Sequence, residues 1–237
     1  MATASTPSAR LTEIISRGAS VMILAPHPDD ECLGTGGLIQ QVIHGGGKIH
    51  VTFITNGDNN PWPQRYVDRR WSIGPHDRQR WGQRRKLEAQ KSLQVLGNGK
   101  VTCDFLELPD AGILKLWQDG DRHLSHTIAA HLSKLKPDLL VTPCEFDRHS
   151  DHRATQAYAI DALKIANHTC DRLTYLIHRP WGMKILNSPK PDLQLSLTES
   201  HQQKKLQAIQ CHETQMALSR SRFCKFAKST EPFNFHT

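Results

Sequence analysis

The six cysteines of this 237-residue chain include no Cys-x-x-Cys pair. That excludes a small structural zinc module and offers no framework for disulfides, so Cys32, Cys103, Cys144, Cys170, Cys211 and Cys224 read as reduced, mostly buried thiols. No apolar run reaches the ~18 residues that a membrane span needs. The first twenty residues are small and polar, with Arg10 and Arg17 among them, and hold no apolar stretch of signal-peptide length. These absences predict a soluble, cytoplasmic protein. There is no Gly-x-Ser-x-Gly elbow and no cysteine in a catalytic setting, so a covalent nucleophile finds no support. Repeats, low-complexity tracts and heptads are missing as well, and the oligomeric state is unmarked.

At this length the chain suits one domain with a sizeable core. Apolar runs predict strands near 21–25, 49–55, 102–106, 139–142, 173–177 and 193–197. Helical patterns alternate with them near 38–44, 77–96, 124–134, 153–166 and 200–216. Such alternation predicts an α/β fold: a single Rossmann-like domain with a mostly parallel sheet flanked by helices and right-handed crossovers. The domain is expected over residues 19–237, behind a flexible segment 1–18. Ser188-Pro189-Lys190-Pro191 marks a loop within it.

The residues that carry chemistry stand at two strand ends. His27-Pro28-Asp29-Asp30-Glu31 follows the run Val21–Ala25, and Gly34, Gly36 and Gly37 are expected to turn the backbone into a helix beginning near Leu38. His149-Ser150-Asp151-His152 follows the run Leu139–Pro143 and precedes another helical stretch. Either cluster alone also fits an ordinary polar turn or helix cap. Two of them at the same kind of position, where open α/β sheets bind ligands, point to one shared site. Three protein ligands from His, Asp or Glu, with a position left for water, form the usual catalytic zinc set.

On these motifs the chain resembles the PIG-L/LmbE-like zinc-dependent N-deacetylases, which act on N-acetylglucosaminyl substrates. Supporting matches are Thr55-Asn56-Gly57-Asp58, the Arg85–Gly97 segment with its Arg-x-x-Glu start and Leu-Gly end, Leu108–Gly112, and a late Lys-x-x-Ala-x-x-x-His-x-x-Gln stretch through Lys205, Ala208, His212 and Gln215. The resemblance implies that His27, Asp30 and His152 hold Zn2+ and that Asp29 is general base on the metal-bound water. It further implies that His149 stabilises the oxyanion or protonates the leaving amine. Asp151 is expected to orient a histidine of the site, a role compatible with capping the helix that follows.

Arg85, Asp110 and His212 are the candidate substrate-binding residues, on the family-like spacing alone for His212. Glu31 fits either a partner of an arginine or histidine, or a solvated helix start, and Cys32 is expected in the sheet packing rather than on a metal. Residues 61–86 mix Trp62, Tyr66, Trp71 and Trp81 with eight arginines and lysines, and Pro61, Pro63 and Pro75 suggest a loop in its first half. With a net charge of +7, this stretch fits a substrate loop, a solvated basic face or a nucleic-acid surface. Its position after the second strand favours the first. The expected activity is removal of an N-acetyl group from an aminosugar or glycoconjugate. Another amide substrate for the same zinc site, or a catalytically silent carbohydrate-binding protein, are the alternatives. Other divalent metals suit the same donors.

Overall fold

The computed structural model describes residues 6–179 and 190–237. In chain order its elements are α1 (Pro7–Ser16), β1 (Ser20–Ala25), α2 (Asp30–His44), β2 (Lys48–Thr55), α3 (Pro61–Asp68), α4 (Pro75–Gly97), β3 (Val101–Leu108), α5 (Ile113–Gln118), α6 (His123–Leu135) and β4 (Leu139–Pro143). They continue with α7 (Ser150–Ile165), β5 (Asp171–Tyr175), β6 (Leu193–Ser196), α8 (Glu199–Gln210), α9 (Glu213–Cys224) and β7 (Thr230–His236). The sheet order is β3-β2-β1-β4-β5-β7-β6. The first five strands are parallel, and β7 runs antiparallel to both β5 and β6. The α/β fold expected from the alternation is therefore present, with an antiparallel extension at one edge.

Alternation along β1 shows why this sheet is covered on both faces. Val21, Ile23 and Ala25 join the core under α1, α2, α4 and α8, whereas Met22 and Leu24 join the core under α5, α6 and α7. A continuous apolar strand is what a parallel sheet between two helix layers requires.

Several expectations meet a different structure. Within the segment 1–18, whose first five residues lie outside the described residues, Pro7–Ser16 form α1 with Leu11 and Ile14 in the core. Arg10 ties α1 to β5 through Asp171 at 3.0 Å. Pro61 and Pro63 do not make a loop. They sit in the first turn of α3, where backbone N–H groups have no helical acceptor anyway. The expected helix 200–216 is two helices, α8 and α9, broken at Cys211–His212. The expected loop Ser188–Pro191 lies partly outside the described residues.

Gly34, Gly36 and Gly37 do not turn the chain either; they lie inside α2, which starts at Asp30 itself. A Cβ on Gly34 would stand 2.5 Å from the Tyr175 ring, so glycine there lets α2 sit on β5. The same helix is clamped from β7, which lies beyond β5 in the sheet. Glu231 of β7 accepts from the Gly37 and Leu38 amides at 2.5 and 2.9 Å, and Lys205 of α8 donates to Glu231 at 2.6 Å and to the Leu33 carbonyl at 2.9 Å. Both ionic groups are buried. The helix that carries Asp30 is thus held by charges from the last strand of the chain.

Candidate metal centre

β1 and β4 are neighbours in the sheet, yet one connects outward to β2 and the other to β5. Their carboxyl ends flank the topological switch point, where the two crossovers part and leave a crevice. His27, Pro28 and Asp29 form the turn from β1 into α2, with Asp30 at the first helical position. On the other side, the loop after β4 leads to His149, which caps α7, and to His152 in its first turn. The two motifs meet because two adjacent parallel strands end there.

Asp29 has φ 135°, a conformation that a residue with a side chain rarely adopts and that costs about 1–3 kcal/mol. Its surroundings hold it in place. The Asp29 amide donates to Glu31 Oε2 at 2.8 Å, its carbonyl accepts from the Leu33 amide at 3.0 Å, and Arg85 Nη2 donates to Asp29 Oδ2 at 2.9 Å. Arg85 also donates to the carbonyls of Pro28 at 2.5 Å and Gly57 at 2.6 Å. Gly57 has φ 61°, and a Cβ there would fall 1.8 Å from Arg85 Nη1, so only glycine admits this guanidinium.

Asp30 Oδ2 is the hub of the centre. It lies 3.2 Å from His27 Nδ1 and 3.2 Å from His152 Nε2. Two ligands of one tetrahedral cation at ordinary Zn–N and Zn–O distances stand about 3.3 Å apart, which matches both separations. The far nitrogen of each ring faces another carboxylate. His27 Nε2 is 3.2 Å from Asp110 Oδ1 and 3.5 Å from Asp151 Oδ2, and His152 Nδ1 is 3.2 Å from Asp147 Oδ2. Both nitrogens of His152 are buried without a partner in hydrogen-bond geometry. A carboxylate behind each ring and a lone pair in front is the arrangement that orients histidines towards a metal. The donor set and the orphaned nitrogens therefore fit a divalent cation at His27, Asp30 and His152. A second group, His50, Asp104 and His131, has its ring nitrogens already engaged by Asp104, Thr52 and Thr102, which leaves no such lone pair.

Electrostatics separates the two adjacent aspartates. Burial raises the Asp30 carboxyl, but His152 and His27 outweigh it and hold the group well below the usual carboxylate range. Asp29 is pushed by burial up to about 6, against the pull of the Arg85 guanidinium. Burial lowers His152, yet Asp30 and Asp147 prevail and raise it to about 9. His149 goes the other way: burial and the neighbouring His27, His152 and His178 lower it to about 4. Its Nδ1 accepts from the Asp151 amide at 3.3 Å, so Nε2 is the nitrogen that bears hydrogen. A cationic His149 is disfavoured by these surroundings, and a cation between His27 and His152 would push in the same direction.

Comparison with known proteins completes the picture. Residues 22–163 match the family model PIG-L, described as GlcNAc-PI de-N-acetylase. The chain belongs to this family. It is similar to the diacetylchitobiose deacetylase of Thermococcus kodakarensis, at 24% identity over 221 residues, covering 87% of this chain and 73% of the relative. The solved N,N'-diacetylchitobiose deacetylase of Pyrococcus horikoshii aligns over 100% of this chain and 95% of its own, with TM-score 0.70 and 18% identity. A 4-carboxy-2-hydroxymuconate hydratase from Pseudomonas putida shares the fold almost as well, with TM-score 0.69 and 17% identity over 92% and 96% of the two chains.

The PIG-L match contains His27, Asp29, Asp30, Arg85, Asp110, His149, Asp151 and His152. Of these, His27, Asp29, Asp30, Arg85, Asp110 and His149 line one cavity of about 200 Å3. Arg85 is only 3% exposed, and its contacts are with Asp29 and two carbonyls. Asp110 faces His27 and takes the Asn59 amide at 2.7 Å, a position behind the histidine as well as beside the cavity. Asp151 takes the Ala111 and Ile113 amides at 2.7 and 3.2 Å, which ties the loop before α5 to His27. His212 is not brought to the cavity. It is fully buried at the break between α8 and α9, with Nε2 2.9 Å from Glu31 Oε1. Glu31 is correspondingly no solvated helix start; it is buried and joins Asp29, Ser92 and His212. Cys32 lies in the core, its thiol pushed well up by burial.

Two residues of the centre escaped sequence reasoning. Asp147, 1% exposed, accepts from the amides of His149, Ile177 and His178 and faces the rings of His152 and His178. His178 follows β5 outside the PIG-L match, and its ring centroid lies 4.9 Å from that of His152. The only signal for Asp147 was a lone acid five residues before His152, which no spacing rule singles out. Among the described residues, no helix is long and apolar enough to cross a membrane.

Proposed function

We propose that the protein is a metal-dependent hydrolase that removes the N-acetyl group from an N-acetylglucosamine-type sugar or glycoconjugate and releases acetate. The carrying observation is the convergence of His27 and His152 on Asp30 Oδ2, with Asp29 beside them and a cavity in front. His27, Asp30 and His152 would hold the cation, and zinc suits two imidazoles and a carboxylate. When bound, the cation polarises the acetyl carbonyl and lowers the pKa of water.

Asp29 receives the proton of the attacking water. Arg85 occupies Oδ2, which leaves Oδ1 for the transfer, and a carboxyl raised to about 6 is a competent base near neutrality. The same proton then serves the departing amine as the C–N bond breaks. His149 donates from Nε2 to the carbonyl oxygen as negative charge develops on it; a neutral donor held in place by the Asp151 amide needs no reorganisation. Asp110 and Asp151 keep His27 oriented, and Asp147 does so for His152. The names of the deacetylase relatives support an N-acetylated sugar as substrate.

The test is acetate release from a panel of N-acetylglucosamine compounds by metal-stripped and zinc-restored protein, with Asp29→Ala as control. Zinc-dependent release that Asp29→Ala abolishes without loss of bound zinc supports the reading. Release by Asp29→Ala near the wild-type rate would remove Asp29 from its role. No release by zinc-loaded protein across the panel would favour another amide substrate or a silent sugar-binding protein.

A further inference from the structure

We infer, resting on the deacetylase reading above for what Asp29 does, that Glu31 and His212 are positioning residues for Asp29. His212 fixes the Glu31 carboxylate, and that carboxylate fixes the backbone conformation that aims Asp29 at the metal centre. Asp29 stands at φ 135°, and φ is the rotation of the Pro28–Asp29 peptide about the bond from its nitrogen to Cα. Two side chains pin that peptide. Arg85 donates to its carbonyl, and its N–H donates to Glu31 Oε2 at 2.8 Å. Arg85 also holds the Asp29 carboxylate and the Gly57 carbonyl, so it keeps partners if the peptide turns. Among the described residues the Asp29 N–H has no acceptor besides Glu31. A buried N–H without an acceptor is costly, so a displaced Glu31 releases the peptide from its strained rotation.

Glu31 is held by its own set of donors. Its Oε1 accepts from Ser92 Oγ at 2.8 Å and stands 2.9 Å from His212 Nε2, and the side chain is fully buried. Among the described residues no lysine or arginine pairs with it, so these donors and the Asp29 amide place the carboxylate. A carboxylate only accepts, so His212 Nε2 is the nitrogen that carries hydrogen. The other nitrogen, Nδ1, is buried with no partner, which leaves the contact with Glu31 as the one hydrogen bond of the ring among the described residues. Burying an imidazole with one nitrogen unmet is costly, and a packing role alone would be served by an apolar side chain.

The surrounding helices tie this relay to the substrate wall. α4 carries Arg85, Glu88 and Ser92 on one face, at the i, i+3 and i+7 spacing, and all three are buried. Arg85 grips Asp29, Ser92 grips Glu31, and Glu88 accepts from the amide and the hydroxyl of Thr214 at 3.0 and 2.6 Å, at the start of α9. His212 stands at the break before that helix, whose Gln215, Ser219 and Phe223 line the catalytic cavity. The late stretch through His212 thus lies outside the matched residues 22–163 and does not put its histidine into the cavity, yet one carboxylate joins it to Asp29.

The experiment compares His212→Leu, which removes the donor, with His212→Gln, whose side-chain amide can donate to Glu31 in place of the ring. On the best substrate of the panel above, zinc-restored His212→Leu should lose on the order of ten- to one-hundred-fold in kcat, the scale of a misplaced reacting group, with KM and bound zinc within about twofold of wild type. His212→Gln should recover kcat to within about threefold of wild type. A histidine that only packs would change the yield of folded protein and not kcat per folded molecule. Hydrogen exchange of the Asp29 amide, followed by NMR on metal-free protein, needs no substrate. It should quicken about ten-fold or more in His212→Leu and stay within about threefold in His212→Gln, while the Leu38 amide, held on the same helix by Glu231, keeps its rate in both. Unchanged kcat in His212→Leu, equal loss of kcat in both variants, an Asp29 amide no faster than in wild type, or Asp29 and Leu38 amides quickening together overturns the positioning role and leaves the deacetylase reading intact. If the wild-type protein releases no acetate, that reading fails, and exchange at the Asp29 amide alone decides whether Glu31 and His212 hold the turn.

Discussion

Replacing Asp147 by Asn tests the claim that a carboxylate behind His152 builds the metal centre. Oδ2 of Asp147 faces His152 Nδ1 at 3.2 Å, the Ile177 amide at 3.1 Å and the His178 amide at 3.0 Å. Oδ1 faces the His149 amide at 2.8 Å and His178 Nδ1 at 3.2 Å. An amide keeps one acceptor oxygen and turns its NH2 towards the other set, so two nitrogens lose their acceptor whichever way it lies. At about 1–3 kcal/mol per orphaned donor, with some relaxation, the metal-free variant should be less stable by about 2–4 kcal/mol. Metal affinity should fall about 10- to 100-fold, the usual cost of losing the group that orients a metal-binding histidine.

Urea denaturation of metal-free protein reads the first quantity, and competition with a chromophoric chelator reads the second. The pH dependence has a definite sign. Burial raises the Asp147 carboxyl, but His152 and His178 hold it well below the ordinary value. A depressed carboxyl stabilises above its unfolded pKa, ~3.9, and that contribution disappears as pH falls through the folded value. The stability gap between wild type and Asp147→Asn should therefore be full at pH 6 and shrink below about pH 4. A variant within about 0.5 kcal/mol of wild type that also binds metal within about twofold would refute the assignment.

Other perturbations probe separate parts of the argument. Because His27 and His152 are both raised in the metal-free protein, His152 to about 9, binding zinc at pH 7 should expel about two protons, and apparent affinity should climb from pH 6 to about 9. Calorimetry in two buffers of different ionisation enthalpy measures this, and an equal heat in both at pH 7 speaks against it. By the same linkage, the stability that protonated His152 contributes without metal is complete below pH ~6.5 and lost as pH rises through about 9. Arg85→Gln removes the cation that opposes the upward shift of Asp29, so the acid limb of kcat/KM should move to higher pH with metal content unchanged; an unmoved limb counts against Arg85. Lys205→Met strands the buried Glu231 charge and should cost about 3–5 kcal/mol in urea denaturation, with Lys205→Met/Glu231→Gln recovering part; full additivity of the two single changes would show that the pair is not coupled.

What could be read from the chain alone was local in sequence. Each strand of the parallel sheet announced itself by apolar runs, and both ligand motifs stood at strand ends, so their convergence at a switch point followed from alternation and strand adjacency. The errors lay where chain neighbours do not decide the outcome. The three glycines after Glu31 read as a turn because glycine breaks helices, but Gly34 is needed where α2 meets the Tyr175 ring, a contact across 141 positions of sequence. Pro61 and Pro63 read as loop because only the folded chain shows that they begin α3.

The sequence by itself marked the candidate groups and the sheet that carries them, because a strand's burial and the turn that ends it are set by residues a few positions apart. Tertiary structure alone decided what stands behind those groups. Asp147 meets His152, Asp110 meets His27, Arg85 meets Asp29 and Glu231 of the last strand grips α2. These partners come from distant elements or from a loop whose course the fold sets, and inside the protein an uncompensated carboxylate or imidazole is costly, so charged counterparts are brought to these groups from afar.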